Sequence, residues 1–181
     1  MFSTDYFRHD KLLVMGLVAN QNTSLRALAK KANLAPSSAH KILSNLKKNK
    51  MICKKRTKNK VFFSINYDSP LAREAIRASM IAQILQSKGF RKLLSLKPNR
   101  AYLFGSASTG RVTPTSDIDI AAFFVLQPGK ELINFTRNKL SEELDREIDL
   151  FILDEKSSSS KDEKTETLKT IENSILLYGK K

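Results

Sequence analysis

The stretch Ala101–Leu126 constrains the fold more than any other part of the 181-residue chain. Two apolar runs, "AYLF" and "IDIAAFFVL", enclose a segment rich in glycine, proline and hydroxyl side chains. Short apolar runs bounded by turn residues predict buried β-strands. We therefore expect a sheet in which the first strand runs into Gly105-Ser106 and a polar spacer separates it from the second.

Two aspartates, Asp117 and Asp119, open the second apolar run. Side chains alternate along a strand, so both carboxylates are predicted to lie on one face. Carboxylates held this closely repel each other unless a cation lies between them, and magnesium prefers such oxygen ligands. A third aspartate, Asp149, follows a predicted helix over residues 131–146 and lies near the start of a further strand. We expect that strand to place Asp149 beside the pair, where a second metal ion could bind. The residues of the intervening helix that we expect to be buried are Leu132, Phe135, Leu140 and Leu144.

Charge divides the chain into two unlike halves. Residues 1–97 hold 20 Lys and Arg against 4 Asp and Glu, whereas residues 98–181 hold 12 against 14. A cationic half suits a polyanionic partner, most simply nucleic acid, since each neutralised phosphate releases condensed counterions. The alternative is a lysine-rich surface that only promotes solubility.

Cysteine, histidine and hydropathy exclude several classes of protein. The single cysteine, Cys53, cannot form an internal disulfide, and with two histidines it offers no Cys/His zinc or nucleophile site. No apolar run approaches the ~20 residues that span a bilayer. The N-terminal "MFSTDYFRHDKLL" carries charges where a signal peptide is apolar. We therefore expect a soluble cytoplasmic protein with no membrane partner.

The basic half carries a pattern of three helices. A first helix is predicted over residues 10–19, Ser24 is suited to cap a second, and Asn33 to adopt the positive φ of a tight turn. Pro36 suits the first turn of a third helix. The apolar stripe of this third helix is Ala39, Ile42, Leu43 and Leu46. Its opposite face carries short polar and cationic groups suited to bases and phosphates, namely Ser37, Ser38, His40, Lys41, Ser44, Asn45 and Lys48.

A basic hairpin follows the third helix. The segment "MICKKRTKNKVFFSI" predicts two strands around a tip from Lys54 to Lys60, which includes Lys55, Arg56 and Lys58. Residues ~8–67 thereby resemble the winged helix-turn-helix family. The resemblance implies that the third helix enters the major groove of DNA while the hairpin touches the backbone or minor groove. RNA in place of DNA, or a domain that serves protein contacts, remains an alternative.

Residues 69–97 predict one long helix between the two halves. The apolar residues that we place on one side of it are Leu71, Ala75, Ala78, Ile81, Ala82 and Leu85. Such a stripe fits either packing onto its own chain or pairing with a second copy in a homodimer.

Residues ~98–179 resemble the minimal nucleotidyltransferases of the DNA polymerase β superfamily. The usual core of that family is close to "GSRARGEARPDSDIDL". The chain matches this core without a gap at Gly105, Ser106, Gly110, Pro114, Ser116, Asp117, Ile118 and Asp119. The ending "TLKTIENSILLYGK" also resembles the helix and short strand that close the family's domain.

The resemblance implies a site and a reaction. Gly105 and Ser106 would hold the phosphates of an NTP, with Ser116 in support. Asp117, Asp119 and Asp149 would bind Mg²⁺ or Mn²⁺ in a two-metal transfer of a nucleoside monophosphate to an acceptor hydroxyl. The chain differs from the family pattern at two positions, since the family commonly has arginines where this chain has Ala107 and Thr109. The loss of these two cations would weaken triphosphate binding.

These patterns predict an α/β protein of two domains. Residues 1–68 form the winged helix-turn-helix, residues 69–97 a linker helix, and residues 98–181 the nucleotidyltransferase domain with a mixed sheet. The alternative function is a DNA-binding regulator or antitoxin whose degenerate transferase domain senses nucleotide. The resemblance then implies a helical, toxin-type partner protein.

Overall fold

The computed structural model describes residues 23–58, 60–155 and 166–180. The chain divides into two compact units. The first runs to Ser79 and includes Gly110–Pro114, and the second contains Met80–Thr109 and the residues from Thr115 onward. No helix within the described ranges is both long and apolar enough to cross a membrane. The helix predicted over residues 10–19 lies outside the described residues.

The first unit contains two short helices and a small sheet. Its elements are β1 (Thr23–Ser24), α1 (Leu25–Lys31), α2 (Pro36–Lys48), β2 (Ile52–Arg56) and β3 (Val61–Ile65). The three strands are antiparallel and lie in the order β1-β3-β2. Three local predictions are confirmed. The Ser24 hydroxyl accepts from the Ala27 amide at the start of α1, Asn33 has φ 52°, and Pro36 begins α2.

Helix α2 buries the predicted stripe. Ala39, Leu43 and Leu46 are buried and Ile42 is half-buried, as the 3.6-residue period requires. The hairpin differs from the prediction in one respect. Lys54–Arg56 belong to strand β2 rather than to the tip, because pairing with β3 continues as far as Arg56 opposite Val61.

The predicted long helix is two helices, α3 (Pro70–Gln86) and α4 (Lys88–Ser95). Ser87 breaks it by adopting an extended conformation, φ −68° and ψ 147°, in which its hydroxyl accepts from the Phe90 amide. Such side-chain capping competes with helix continuation. The predicted stripe was also wrong, because Leu71 and Leu85 are exposed. The buried face of α3 consists instead of Ala72, Ile76, Ser79, Met80 and Ile84.

The second unit is built on a four-stranded mixed sheet, which confirms the predicted fold class for this part. Its further elements are β4 (Arg100–Phe104), α5 (Gly105–Thr109), β5 (Ile118–Phe124), α6 (Lys130–Leu144), β6 (Ile148–Asp154), α7 (Glu166–Glu172) and β7 (Ile175–Tyr178). The strand order is β6-β5-β4-β7. Strands β5 and β6 are parallel, and β4 is antiparallel to both β5 and β7.

Helix α6 returns the chain from β5 to β6, as a parallel pair requires. Its buried residues are Thr136 and Leu140, whereas Leu132 and Phe135 are exposed, contrary to the prediction. The close approach of α4 explains part of this pattern. A Cβ on Gly89 would lie 2.7 Å from the Leu140 backbone nitrogen, so the two helices are in contact at this glycine.

Both faces of the two central strands, β4 and β5, are buried along most of their length. On one face, Tyr102, Ala121 and Phe123 pack with Ile171 of α7. On the other, the alternate residues Ala101, Leu103, Ile120 and Ala122 are all fully buried. The candidate site lies at one end of the first face, where Asp119 and Asp149 follow the apolar residues of this core.

Candidate active site

Strand pairing places Asp119 at the centre of a row of residues. Its partner on β6 is Asp149 and its partner on β4 is Phe104, the last residue before Gly105. Directly paired residues project from the same face of a sheet, about 5 Å apart. The parallel register therefore brings Asp149 beside Asp119, which confirms the placement expected from the sequence.

The loop before β5 carries Asp117 and is tied to the start of β6. The Ile118 amide donates to the Glu147 carbonyl at 3.0 Å, and the Arg146 guanidinium donates to the Ser116 carbonyl at 3.0 Å. Ser116 and Asp117 are thus held against the residues that precede Asp149. The sequence did not predict this role of Arg146, because a position just after a helix does not indicate a contact with Ser116, thirty residues earlier.

Gly105 lies directly against Asp119. Its φ is 64°, which favours glycine, and an added Cβ would lie 2.8 Å from the Asp119 Cγ. Both the backbone conformation and the space therefore exclude a side chain at this position. The Gly-Ser turn and the aspartate row, ten residues apart in sequence, meet at one point.

The three hydroxyls of α5 differ in their partners. The Ser108 hydroxyl donates to the Gly105 carbonyl at 2.8 Å, and that of Thr109 to the Ser106 carbonyl at 3.0 Å. The Ser106 hydroxyl has no hydrogen-bond partner within the described part of the chain. Ser106 is half-buried, so its hydroxyl differs from the other two in being both partly accessible and unpaired.

The row of carboxylates is electrostatically strained. Asp117 and Asp149 are exposed, whereas Asp119 is half-buried. Burial raises the pKa of Asp119 above its usual value, and the negative charges of Asp149 and Asp117 raise the pKa further. A bound cation would relieve both effects, because it replaces lost hydration and screens the like charges.

Residues 80–181 match the family described as polymerase beta, nucleotidyltransferase. The chain belongs to this nucleotidyltransferase family. The match covers more than half of the chain and contains the Gly-Ser turn and all three aspartates. It supports nucleotidyl transfer as the general activity. A search of curated proteins finds no match to the chain.

The nucleotidyltransferase domain has the donor atoms for a hard divalent cation. Within the described ranges, no three His, Cys, Asp or Glu side chains converge as a ready-made ligand cluster. The chemistry of the donors nevertheless fits, because Asp117, Asp119 and Asp149 supply only oxygen ligands and their charges repel one another.

The two positions where related nucleotidyltransferases commonly have arginines differ in their surroundings. Ala107 is fully buried, so an arginine in its place would need to displace neighbouring atoms. Thr109 is exposed and would accept a longer side chain. The local packing around α5 is therefore adapted to the small residue at position 107.

The predicted nucleic-acid contacts lie in the first unit. On α2, Ser37, Ser38, His40 and Lys41 are exposed. The Asn45 side chain is half-buried and accepts from Asn49 Nδ2 at 3.3 Å, so Asn45 is the least accessible of the predicted contacts. The remaining predicted contacts, all exposed on β2 or just after it, are Lys54, Lys55, Arg56 and Lys58.

Proposed function

We propose that the second unit is a metal-dependent nucleotidyltransferase that moves a nucleoside monophosphate from an NTP to an acceptor hydroxyl. The observation that carries this proposal is the pairing of Asp119 with Asp149 while the Gly105 backbone lies against the Asp119 carboxylate. Phosphoryl chemistry needs a phosphate-binding turn within reach of acidic residues, and this row provides both.

Each residue has a role in the proposed reaction. The Gly105 backbone and the Ser106 hydroxyl bind the phosphates of the NTP. The acceptor oxygen attacks the α-phosphorus, the bond from that phosphorus to the bridging oxygen breaks, and pyrophosphate leaves with the electron pair. The acceptor proton passes to an Asp149 carboxylate oxygen. Ser116, through its carbonyl bond to Arg146, keeps Asp117 in place.

Asp117, Asp119 and Asp149 would hold one or two divalent cations, Mg²⁺ or Mn²⁺. Bound there, such ions would lower the pKa of the attacking hydroxyl and neutralise charge that develops on the phosphate oxygens. The raised pKa of Asp119 supports this assignment, since a carboxylate destabilised by its neighbours gains most from a cation.

Incubation of the full chain with α-labelled NTPs and magnesium tests the transfer. We expect labelled acceptor or labelled protein, and we expect Asp117→Ala and Asp119→Ala each to abolish the label. Asp154→Ala is the matched control, because Asp154 lies on the same strand as Asp149 but at its opposite end. Equal labelling by the Asp117→Ala/Asp119→Ala double variant and the wild type would falsify the mechanism.

We further propose that the first unit is a winged helix-turn-helix that binds nucleic acid, most simply duplex DNA. The support is the pair α1 and α2 joined at Asn33, the antiparallel sheet that follows, and the exposed cations on α2 and β2. Helix α2 would present its polar face to the major groove, and the β2–β3 hairpin would contact phosphates.

Salt-dependent binding to duplex DNA tests this second proposal. The affinity is expected to fall steeply with salt, and the pair Lys41→Ala/Lys54→Ala to weaken it and flatten the salt dependence by about two counterions. The pair Lys97→Ala/Lys130→Ala is the control, since both lysines are exposed residues of the second unit. An affinity that does not change with salt concentration, or no binding to DNA or RNA, would contradict the proposal.

A second candidate function is a nucleic-acid-binding regulator whose transferase domain only senses nucleotide. The observation that favours it is the fully buried Ala107, where the family commonly has a phosphate-binding arginine. Thermal shifts with Mg²⁺ and each NTP, read beside the labelling assay, separate the two functions. An NTP at one hundred times its dissociation constant should stabilise either protein by roughly 2.7 kcal/mol. Stabilisation without transfer would identify the regulator.

A further inference from the structure

An aromatic pair lies on the same sheet face as the aspartates. Phe151 is two residues after Asp149 on β6, so the two side chains project from one face. Phe104, the cross-strand partner of Asp119, contacts Phe151 edge to face with 5.3 Å between ring centroids. Both rings are therefore direct neighbours of the carboxylate row.

The contact between these rings depends on a small residue between them. Phe104 is on β4 and Phe151 on β6, and β5 separates them by two strand spacings, roughly 10 Å. The β5 residue paired with Phe151 is Ala121, whose methyl group leaves room for the rings to meet above it. The Phe104 ring thus holds the Phe151 ring in place.

Phe151 nevertheless remains 41% exposed. A phenylalanine exposed on an edge strand forgoes the stabilisation that burial provides, and such a flat apolar surface also favours unwanted association. Aromatic rings next to phosphate-binding groups commonly provide a stacking surface for bases, because every base has a π-face. Among the residues that the structure describes, two other aromatic side chains are exposed, Phe135 on α6 and Tyr178 at the end of β7 that pairs with Ala101. Only Phe151 of these three lies beside the aspartates.

We propose that Phe151, supported by Phe104, is a stacking platform for a nucleobase at the transfer site. This inference rests on the proposed function, since it gives the base of the NTP or of the acceptor nucleotide a place beside the metal-binding row. The platform would make the site selective for nucleotides over bare polyphosphate, and it would be tolerant of base identity because stacking reads no base edge.

Tryptophan fluorescence tests the platform directly, because the chain contains no tryptophan. In Phe151→Trp, we expect Mg²⁺–ATP and, at higher concentration, adenosine to quench the emission, whereas magnesium tripolyphosphate leaves it unchanged. Tyr178→Trp is the matched control, since Tyr178 is 44% exposed on the other edge strand and the emission of this variant should respond to none of the three. A single-stranded oligonucleotide that quenches when ATP does not would assign the platform to the acceptor base.

Calorimetry supplies the second measurement. Phe151→Ala should weaken Mg²⁺–ATP binding about ten-fold and leave tripolyphosphate binding unchanged, while Phe151→Tyr retains the wild-type preference for ATP. Thermal denaturation of each variant verifies that it is folded.

The outcomes separate the platform from the transferase proposal. Quenching of the Phe151→Trp emission by base-containing ligands without any transfer by the wild type would support the platform and overturn the transferase. ATP binding and transfer without quenching, or an equal loss of ATP and tripolyphosphate affinity in Phe151→Ala, would overturn the platform alone. Absence of quenching by ATP, adenosine and oligonucleotide together would overturn the platform whatever the activity.

Discussion

The two ends of the four-stranded sheet differ in their charged residues: one end brings like charges together and the other pairs opposite charges. At one end, Asp119 is paired with Asp149, and burial together with the negative charges of Asp149 and Asp117 raises the pKa of Asp119. At the other end, Arg100 Nη2 lies 2.9 Å from Glu155 and Nη1 3.6 Å from Glu172. The Arg100 guanidinium also lies 4.7 Å from the centre of the Phe123 ring.

The two ends therefore differ in whether their charges stabilise the fold. Opposite charges with little solvent exposure hold the Arg100 end together, and breaking such a pair leaves a charge without its partner. Like charges at the Asp119 end repel one another and oppose folding. The expected effects of substitution therefore differ in kind between the two ends.

The largest expected effect is on catalysis at the carboxylate end. Asp149→Asn removes the proposed proton acceptor and metal ligand, and we expect the rate of nucleotidyl transfer to fall roughly a thousand-fold, with little change in Tm. Initial rates with labelled NTP measure this. Asp154→Asn, on the same strand, should leave the rate unchanged, and an equal loss in both variants would remove the distinction between the two ends of β6.

The next effect is on stability at the Arg100 end. Arg100→Met leaves Glu155 and Glu172 without this cation, and we expect the free energy of unfolding to fall by about 3 kcal/mol. Denaturant unfolding measures the change. Arg91→Met is the control, because Arg91 is exposed and its loss should cost less than about 0.5 kcal/mol. Equal costs for Arg100 and Arg91 would show that the ion pairs contribute nothing.

Gly105→Ala tests the contact between the Gly-Ser turn and Asp119. The positive φ and the clash with the carboxylate should destabilise the protein by about 2 kcal/mol and abolish stabilisation by NTP. Gly129→Ala offers the matched control, since a Cβ there would meet nothing within 4 Å. If NTP still stabilises Gly105→Ala as it does the wild type, the Gly-Ser turn takes no part in NTP binding.

The smallest effect has the opposite sign. Because the pKa of Asp119 is raised in the folded state above 3.8, wild-type stability is lost as the pH rises through the folded pKa. Asp119→Asn removes this loss, so its Tm at pH 7 should exceed that of the wild type, and the difference should close below about pH 3. Magnesium should raise the Tm of the wild type more than that of Asp119→Asn. A lower Tm for Asp119→Asn than for the wild type at pH 7 would contradict the claim that the charged Asp119 carboxylate destabilises the folded protein.

Much of the fold could be predicted because its signals are local. Ser24, Asn33 and Pro36 were placed correctly, since caps, positive φ values and helix starts depend on a few adjacent residues. The strands on either side of the Gly-Ser turn followed from hydropathy for the same reason, but the prediction that Asp117 shares a strand with Asp119 was wrong, because β5 begins at Ile118. The predicted order of strand, helix and strand also gave the expectation that Asp149 lies beside this pair, and the family resemblance added its proposed role.

Other features depended on which surfaces meet. The break at Ser87, the exposure of Leu132 and Phe135, and the Arg146 bond to Ser116 are invisible to periodicity, because an apolar residue is buried only where a partner covers it. Hydropathy alone could not establish the register that pairs Asp119 with Asp149, because a shift of two residues keeps every side chain on the same face of the sheet.

The sequence by itself determined the chemistry of the site, the three carboxylates and the glycine that contacts one of them. Only the tertiary structure decided which residues surround that chemistry. It placed the Phe104 and Phe151 rings beside the aspartates and Arg100 at the far end. The physical reason is that residue type sets what a side chain can bind, whereas strand pairing and packing set what lies next to it.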